Sequence, residues 1–238
     1  IGVALVDLLD APNGIRDRQL IYGDPVTVLG AQDGHSYVRP GRDGYIGFVP
    51  TAALAQAAPH THRVIARASH AYARADMKSP DRTMLSFGSR LTALSETPKF
   101  IETAAGFVPK QHIAPADHWQ DDPAAIAALF LGTPYLWGGN SGTGIDCSGL
   151  VQAACLACNI PCDGDSDQQA RSLGTLPEGP PPQRNDLFFW KGHVALVYDG
   201  STLIHANAHH MATTFEPISE ALTRIEKSDG PRTAHKRL

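Results

Sequence analysis

The four residues Gly47-Phe48-Val49-Pro50 return 59 positions later as Gly106-Phe107-Val108-Pro109. A repeat at that spacing confines the first half of the chain to two copies of one small fold. The first copy holds Pro25-Val26-Thr27-Val28-Leu29, Ser36-Tyr37-Val38 and Tyr45-Ile46-Gly47-Phe48-Val49, separated by Gly, Asp and Pro turns. Short strands punctuated in this way suggest a small β-barrel. The second copy is weaker, with a turn-rich stretch near Ser79-Pro80 and a strand-like Arg90-Leu91-Thr92-Ala93-Leu94 ahead of its Gly-Phe-Val-Pro.

After Pro115 the pattern changes. Pro123 to Phe130 has helical spacing with Pro in the first turn, and a second helix led by Cys147 is expected to reach about Asn159, where Pro161 stops it. Positions 147, 151, 154, 155 and 158 then share one face. Strands are expected over Asp186–Trp190, His193–Val197, Ser201–Ala206 and Thr213–Glu216, with a closing helix over Ser219–Ile225. Helices first and antiparallel strands afterwards predict an α+β domain. The expected division is two β-rich domains, 1–57 and 58–116, and an α+β domain, 117–238.

The bulk composition excludes several function classes. A 238-residue chain that is 42% hydrophobic supports packed cores, and it holds no apolar run of the roughly 18 residues a membrane helix needs. The start Ile1-Gly2-Val3-Ala4-Leu5 lacks the basic flank of a signal peptide. A net charge of -4, with Lys and Arg scattered, gives no footprint for nucleic acid and favours a peptide or small molecule. Three of the four cysteines bunch at 155, 158 and 162, unlike a disulfide framework, which favours a reducing compartment. Cytoplasmic localisation is the expectation, without membrane or nucleic-acid partners; oligomeric state is not legible.

Cys147 carries the chemistry, in Gly144-Ile145-Asp146-Cys147-Ser148-Gly149-Leu150-Val151. With Asp146 as N-cap, Cys147 is the first helical residue, where free backbone N–H groups stabilise a thiolate. Gly144, Ser148 and Gly149 leave little bulk around the sulfur. A base is expected from the hairpin that holds His193 and His205. A three-residue loop of Tyr198, Asp199 and Gly200, with Gly left-handed, would pair 197 with 201 and 193 with 205. The two histidines would then face each other with Cβ atoms roughly 4.5 to 5.5 Å apart. One imidazole would take the thiol proton and the other would fix its tautomer. A two-residue Asp199-Gly200 turn would instead put them on opposite faces. His209 and His210 are expected in a surface loop.

Tyr135-x-Trp137-Gly138-Gly139, Asp146-Cys147-Ser148-Gly149-Leu150-Val151, Asp186-Leu187-x-Phe189 with His193-Val194, and Ile204-His205-Ala206 occur in an order that resembles the NlpC/p60 family of bacterial cell-wall cysteine peptidases. The resemblance spans roughly 117 to 226. It implies a papain-like α+β catalytic domain with Cys147 as nucleophile, His193 as general base and His205 as orienting third member. It implies as well that Tyr135 and the Cys147 N–H stabilise the oxyanion. No cofactor or metal is implied. The upstream repeats look like bacterial SH3-like barrels of the subgroup that cleaves γ-D-glutamyl bonds to diamino acids in murein peptides with a free L-Ala. Asp165-Ser166-Asp167-Gln168-Gln169 resembles that subgroup's Asp-Ser-x-x-Gln motif, whose Asp and Ser meet the terminal amine. Asp17 and Tyr45 are the candidates for the remaining amine contacts. The substrate and oxyanion set is thus Tyr135, Trp137, Asp146, Ser148, Asp165, Ser166, Tyr45 and Asp17. Asn185 departs from the family pattern, which often has Gly there.

Two other readings stay open. A papain-like amidase or acyltransferase would need an apolar acyl channel, and a non-catalytic wall-binding protein would not need Cys147, His193 and His205. Zinc at Cys155, Cys158 and Cys162 lacks a fourth ligand, and core packing explains the first two.

Overall fold

Both copies of Gly-Phe-Val-Pro form a four-residue strand that runs directly into a one-turn 3₁₀ helix, Thr51–Ala53 in the first and Lys110–His112 in the second. The two prolines have nearly the same backbone angles, φ -52° and -59° with ψ 129° in each. Val49 and Val108 are both fully buried, so each copy anchors its own core. The computed structural model describes residues 1–176 and 181–238. It divides into two compact units: Ile1–Trp119 with Asn140–Gly142, and Gln120–Gly139 with Thr143–Leu238.

The first unit is all β. Strands β1 (Leu5–Leu9), β2 (Arg16–Ile21), β3 (Val26–Gln32), β4 (His35–Pro40) and β5 (Gly47–Pro50) form a sheet in the order β2-β1-β5-β4-β3 around Leu8, Leu20, Val38 and Val49. Strands β6 (His62–Val64), β7 (Ala68–Tyr72), β8 (Asp81–Ser86), β9 (Arg90–Leu91), β10 (Ser95–Glu96), β11 (Phe100–Thr103), β12 (Gly106–Pro109) and β13 (Ile113–Pro115) follow. They divide between a sheet β10-β11-β12-β7-β8 and a smaller one, β13-β6-β9, with a core that includes Val64, Leu85, Leu91, Ile101 and Val108. The short β14 (Asn140–Ser141) belongs to this unit. The expected barrels do not close. A bulge at Leu8/Leu9 leaves β1 and β5 joined by the single pair Leu9↔Phe48, and β12 meets β7 only at Phe107↔Tyr72. What leaves each sheet open is that its end strands, β2 and β3 in the first and β10 and β8 in the second, do not pair with each other among the described residues.

The second unit is α+β, as expected. It contains α1 (Pro123–Ala128), β15 (Gly144–Ile145), α2 (Cys147–Ala157) and α3 (Ser166–Ser172). Then come β16 (Asp186–Trp190), β17 (His193–Asp199), β18 (Thr202–Asn207), β19 (Ala212–Pro217), α4 (Ile218–Asp229) and β20 (Ala234–Arg237). The sheet is antiparallel in the order β19-β18-β17-β16-β20. Its two faces follow strand parity. Ala195, Val197 and Leu203 join Phe188 and Trp190 in a core with Ala221 and Ile225 of α4. Val194, Leu196, Ile204 and Ala206 are buried on the other face, and α1 and α2 pack on β17 and β18.

Helix α2 ends by a Schellman motif. The N–H of Ile160 reaches the Cys155 carbonyl and that of Asn159 reaches Leu156, with Asn159 left-handed at φ 59°. Pro161 follows directly. None of the described helices is long and apolar enough to cross a membrane.

Candidate active site

Asp146 caps α2 and organises the loop before it. One carboxylate oxygen accepts the Gly149 N–H at 2.6 Å and the Ser148 hydroxyl at 3.1 Å. The other accepts the Gly138 N–H at 2.9 Å, in a left-handed turn with φ 70°. Gly139 is needed for space, since a Cβ there would stand 2.6 Å from the Gly144 carbonyl oxygen. Asp146 and Ser148, expected among the substrate contacts, are buried and engaged in this cap. They hold Cys147 at the first turn of α2.

The sulfur of Cys147 is buried, and the backbone N–H groups of Val194, of Ser148 and of Cys147 itself favour its charged form. Burial, then the charge on Asp146, pushes the thiol up to about 12 against those three donors. The expected lowering by the helix N-terminus is therefore outweighed. Val194 is the chain neighbour of His193. The β17–β18 ladder stops at Leu196↔Ile204 although the strands run on to His193 and Asn207.

The histidines meet, by a register other than the expected one. The observed pairs are Asp199↔Thr202, Val197↔Leu203 and Leu196↔Ile204, with a bulge between Val197 and Asp199. The loop is Gly200-Ser201, closed by the Asp199 carboxylate, which accepts the Ser201 N–H and hydroxyl at 2.9 Å. Gly200 is not left-handed. The bulge restores the face that a two-residue turn alone would have lost. Counting on from Leu196↔Ile204 sets Ala195 opposite His205, so the histidines are diagonal neighbours. His193 Nε2 and His205 Nδ1 are 2.9 Å apart, and the Trp190 ring lies 5.7 Å from the His193 ring on its other side.

Beyond His205 the bonds continue. His205 Nε2 is 2.9 Å from Glu216 Oε2, and Arg224 donates to both Glu216 oxygens at 2.8 and 2.7 Å. Burial lowers His193 to about 3, helped by His205 and Arg224 and opposed by Glu216. His205 is lowered too, chiefly by burial. Sequence reasoning missed Glu216 and Arg224. The available signal was an acidic residue at an inward position of a strand that pairs with the His205 strand, followed eight residues later by Arg in the next helix.

The Tyr135 hydroxyl is held protonated by burial first and then by the charges of Cys147 and Asp146. Its backbone N–H donates to the carbonyl of Met211 at 2.9 Å, in the exposed turn that carries His209 and His210. That turn is pinned by Asn207, whose amide oxygen accepts the His210 N–H at 2.8 Å. Trp137 is exposed, two residues on from Tyr135.

Asp165 and Ser166 open α3, where Asp165 and Gln168 form a capping box. Gln169 in the same helix is fully buried and donates to the Ser148 carbonyl at 2.9 Å, which fastens α3 to the first turn of α2. Asp17 and Tyr45 belong to the first unit. Asp17 is half-buried on β2, and the Tyr45 ring lies under the Arg18 guanidinium at 5.7 Å.

Residues 132–224 match the model of the NlpC/P60 family, and residues 8–54 match that of the bacterial dipeptidyl-peptidase Sh3 domain. Over 107 residues the chain is 32% identical to a gamma-D-glutamyl-L-lysine dipeptidyl-peptidase of Bacillus cereus (strain ATCC 10987 / NRS 248), covering 42% of this chain and 32% of the relative. It is 36% identical over 93 residues to the protein of the same name from Bacillus subtilis (strain 168), covering 36% and 31%. The matched segments thus span about a third of either relative. In structure, an NlpC/P60 family protein from Bacillus cereus ATCC 10987 is similar with a TM-score of 0.83 at 20% identity, over 100% of this chain and 98% of that one. An NlpC/P60 endopeptidase from Photobacterium damselae subsp. piscicida gives 0.64 at 15% identity, over 98% and 70%. At those identities the likeness is one of fold. The chain thus carries an NlpC/P60 domain at residues 132–224, with a bacterial dipeptidyl-peptidase Sh3 domain ahead of it at residues 8–54.

Proposed function

We propose that the protein is a cysteine peptidase that hydrolyses the γ-D-glutamyl bond to a diamino acid in murein peptides with a free N-terminal L-Ala. The observation that carries the reading is the His193–His205 contact of 2.9 Å in a unit whose α2 begins at a buried cysteine. The names of the Bacillus relatives support the choice of bond.

In this mechanism the Cys147 thiol gives its proton to His193 as the sulfur attacks the γ-carbonyl carbon of D-Glu. The oxyanion takes hydrogen bonds from the Tyr135 hydroxyl and the Cys147 N–H. Loss of such a donor costs about 10²- to 10³-fold in rate. Collapse breaks the C–N bond, and the proton passes from His193 to the departing amine. Water then attacks the thioester, giving a proton to His193 and releasing the acyl product. The thiolate recovers that proton. His205 orients His193 throughout.

Asp165 and Ser166 are assigned to the ammonium group of L-Ala, because an acidic side chain and a hydroxyl suit a cation. Trp137 is assigned to the substrate approach. Residues 58–116 are read as a second SH3-like domain, on the shared strand-to-3₁₀ unit. Processing of imported murein peptides would place the enzyme in the cytoplasm.

The test is incubation with L-Ala-γ-D-Glu-diaminopimelate and with its N-acetylated form. The reading expects cleavage of the free peptide and not of the blocked one. Equal cleavage of both would remove amine recognition, and cleavage of neither would remove the murein substrate.

A further inference from the structure

We propose that Glu216, held by Arg224, is a positioning residue that fixes the tautomer of both histidines and so leaves the base nitrogen of His193 unprotonated. The proposal rests on the peptidase reading and deepens it. It follows from the direction in which each hydrogen bond has to run.

Glu216 is buried, and both its oxygens accept from Arg224, which leaves its Oε2 facing His205 Nε2 at 2.9 Å. Burial alone would raise the Glu216 carboxyl, but the bonds from Arg224 and His205 outweigh it and hold the carboxyl well below the ordinary range. A carboxylate can only accept. His205 therefore carries its proton on Nε2.

A neutral imidazole has one donor and one acceptor nitrogen, so His205 Nδ1 is an acceptor. The group 2.9 Å from it is His193 Nε2, which must then be the donor. That leaves His193 Nδ1 with a lone pair, and it is the only His193 nitrogen not engaged by His205. Run in the opposite direction, the same contacts would put the proton on His193 Nδ1, where it could not take one from Cys147.

The chain of bonds holds this sense only while His205 is neutral, since an imidazolium donates from both nitrogens. Glu216 on β19 pulls His205 toward the charged form. Burial, Arg224 from α4 and His210 from the β18–β19 turn oppose it, and His193 faces it from β17. Arg224 thus lets Glu216 orient His205 without charging it. Arg224 bonds Glu216 and Glu216 bonds His205, so their effect passes through the histidines.

The experiment is imidazole ¹⁵N spectroscopy of the full chain near neutral pH, on the wild type, Glu216→Gln and Glu216→Asp. In the wild type His193 and His205 are both expected as the Nε2–H tautomer. Glu216→Gln presents an amide that can donate to His205 Nε2. His193 is then expected to gain the Nδ1–H form, with kcat on L-Ala-γ-D-Glu-diaminopimelate down at least about tenfold and KM within about twofold. Glu216→Asp, which can still accept, is expected to keep the wild-type tautomers.

A wild-type His193 protonated on Nδ1 overturns the proposal without any variant. So does Glu216→Gln with His193 unchanged, even if its activity falls, because that loss would then be structural. The tautomer measurement needs no turnover. A wild type that cleaves no peptide but shows both Nε2–H forms ends the peptidase reading and leaves this assignment standing.

Discussion

Burial sets the ionisation of the two groups proposed to react. Cys147 is pushed up to about 12 and His193 down to about 3, each chiefly because its charged form would be taken out of water. At rest the pair is therefore a neutral thiol and a neutral imidazole, and proton transfer and attack on the substrate are coupled. Thiolate ultraviolet absorbance is expected to show no step that disappears in Cys147→Ala between about pH 5 and about pH 9. A Cys147-dependent step within that range would mean a preformed ion pair. At this scale the place of Cys147 at the start of α2 and the meeting of His193 with His205 were legible because each stands in a short motif with a mechanical reason. The register between the histidines was not, because Asp199 closes the loop with its side chain and the turn falls at Gly200-Ser201. Glu216 and Arg224 were not legible because the bond of Glu216 to His205, and of Arg224 to Glu216, depends on how β19 and α4 fold back over β18.

Elements were read best where a single residue punctuates them. Pro123 starts α1, Asp146 starts α2, and the sequence placed β16 at its observed bounds. The strand β20 was missed because Ala234-His235-Lys236-Arg237 looks like a polar tail, and α3 because its seven residues have little apolar periodicity. Asn185 shows how a departure from a family pattern can be accommodated. Its φ is 71°, a conformation that suits Gly, and Asn is among the side chains that tolerate it. Its side-chain oxygen also accepts the Ala124 N–H at 2.8 Å, so it caps α1 from outside that helix. Asn185→Gly keeps the backbone angle and loses the cap, at a cost of about 1 kcal/mol. Asn185→Ala loses both and is expected to cost about 1–2 kcal/mol more by urea unfolding. Equal stability of the two variants would contradict this account of the position.

For the whole molecule, the sheet of the second unit is closed at one edge by a charge cluster. Asp186 is fully buried and accepts from His235 at 2.7 Å, from Arg237 at 2.8 and 2.9 Å, and from the Gln183 N–H at 2.9 Å. These bonds join β16 to β20. Burial would raise the carboxyl, but Arg237, Gln183 and His235 together lower it to about 2. A carboxyl depressed on folding stabilises the fold above its unfolded pKa, and that contribution fades as pH falls through the folded value. Stability worth about 2 kcal/mol is thus expected to be lost between about pH 4 and about pH 2. Asp186→Asn should cost about 3 kcal/mol at neutral pH and flatten that acid limb, as followed by circular dichroism. An unchanged limb would place the acid sensitivity elsewhere.

The strand and 3₁₀ turn that recur in the first unit were legible from Gly-Phe-Val-Pro, whereas barrel closure was not, because it depends on bulges and strand edges that local patterns do not encode. The central claim concerns Cys147, which the account makes the atom that carries the acyl group. Rapid quenching of the wild type with L-Ala-γ-D-Glu-diaminopimelate, followed by mass spectrometry of the intact chain, tests it most directly. The account predicts a covalent L-Ala-γ-D-Glu adduct on Cys147 and no cleavage by Cys147→Ala. Cleavage by Cys147→Ala at the wild-type rate, with no adduct on the wild type, would contradict it.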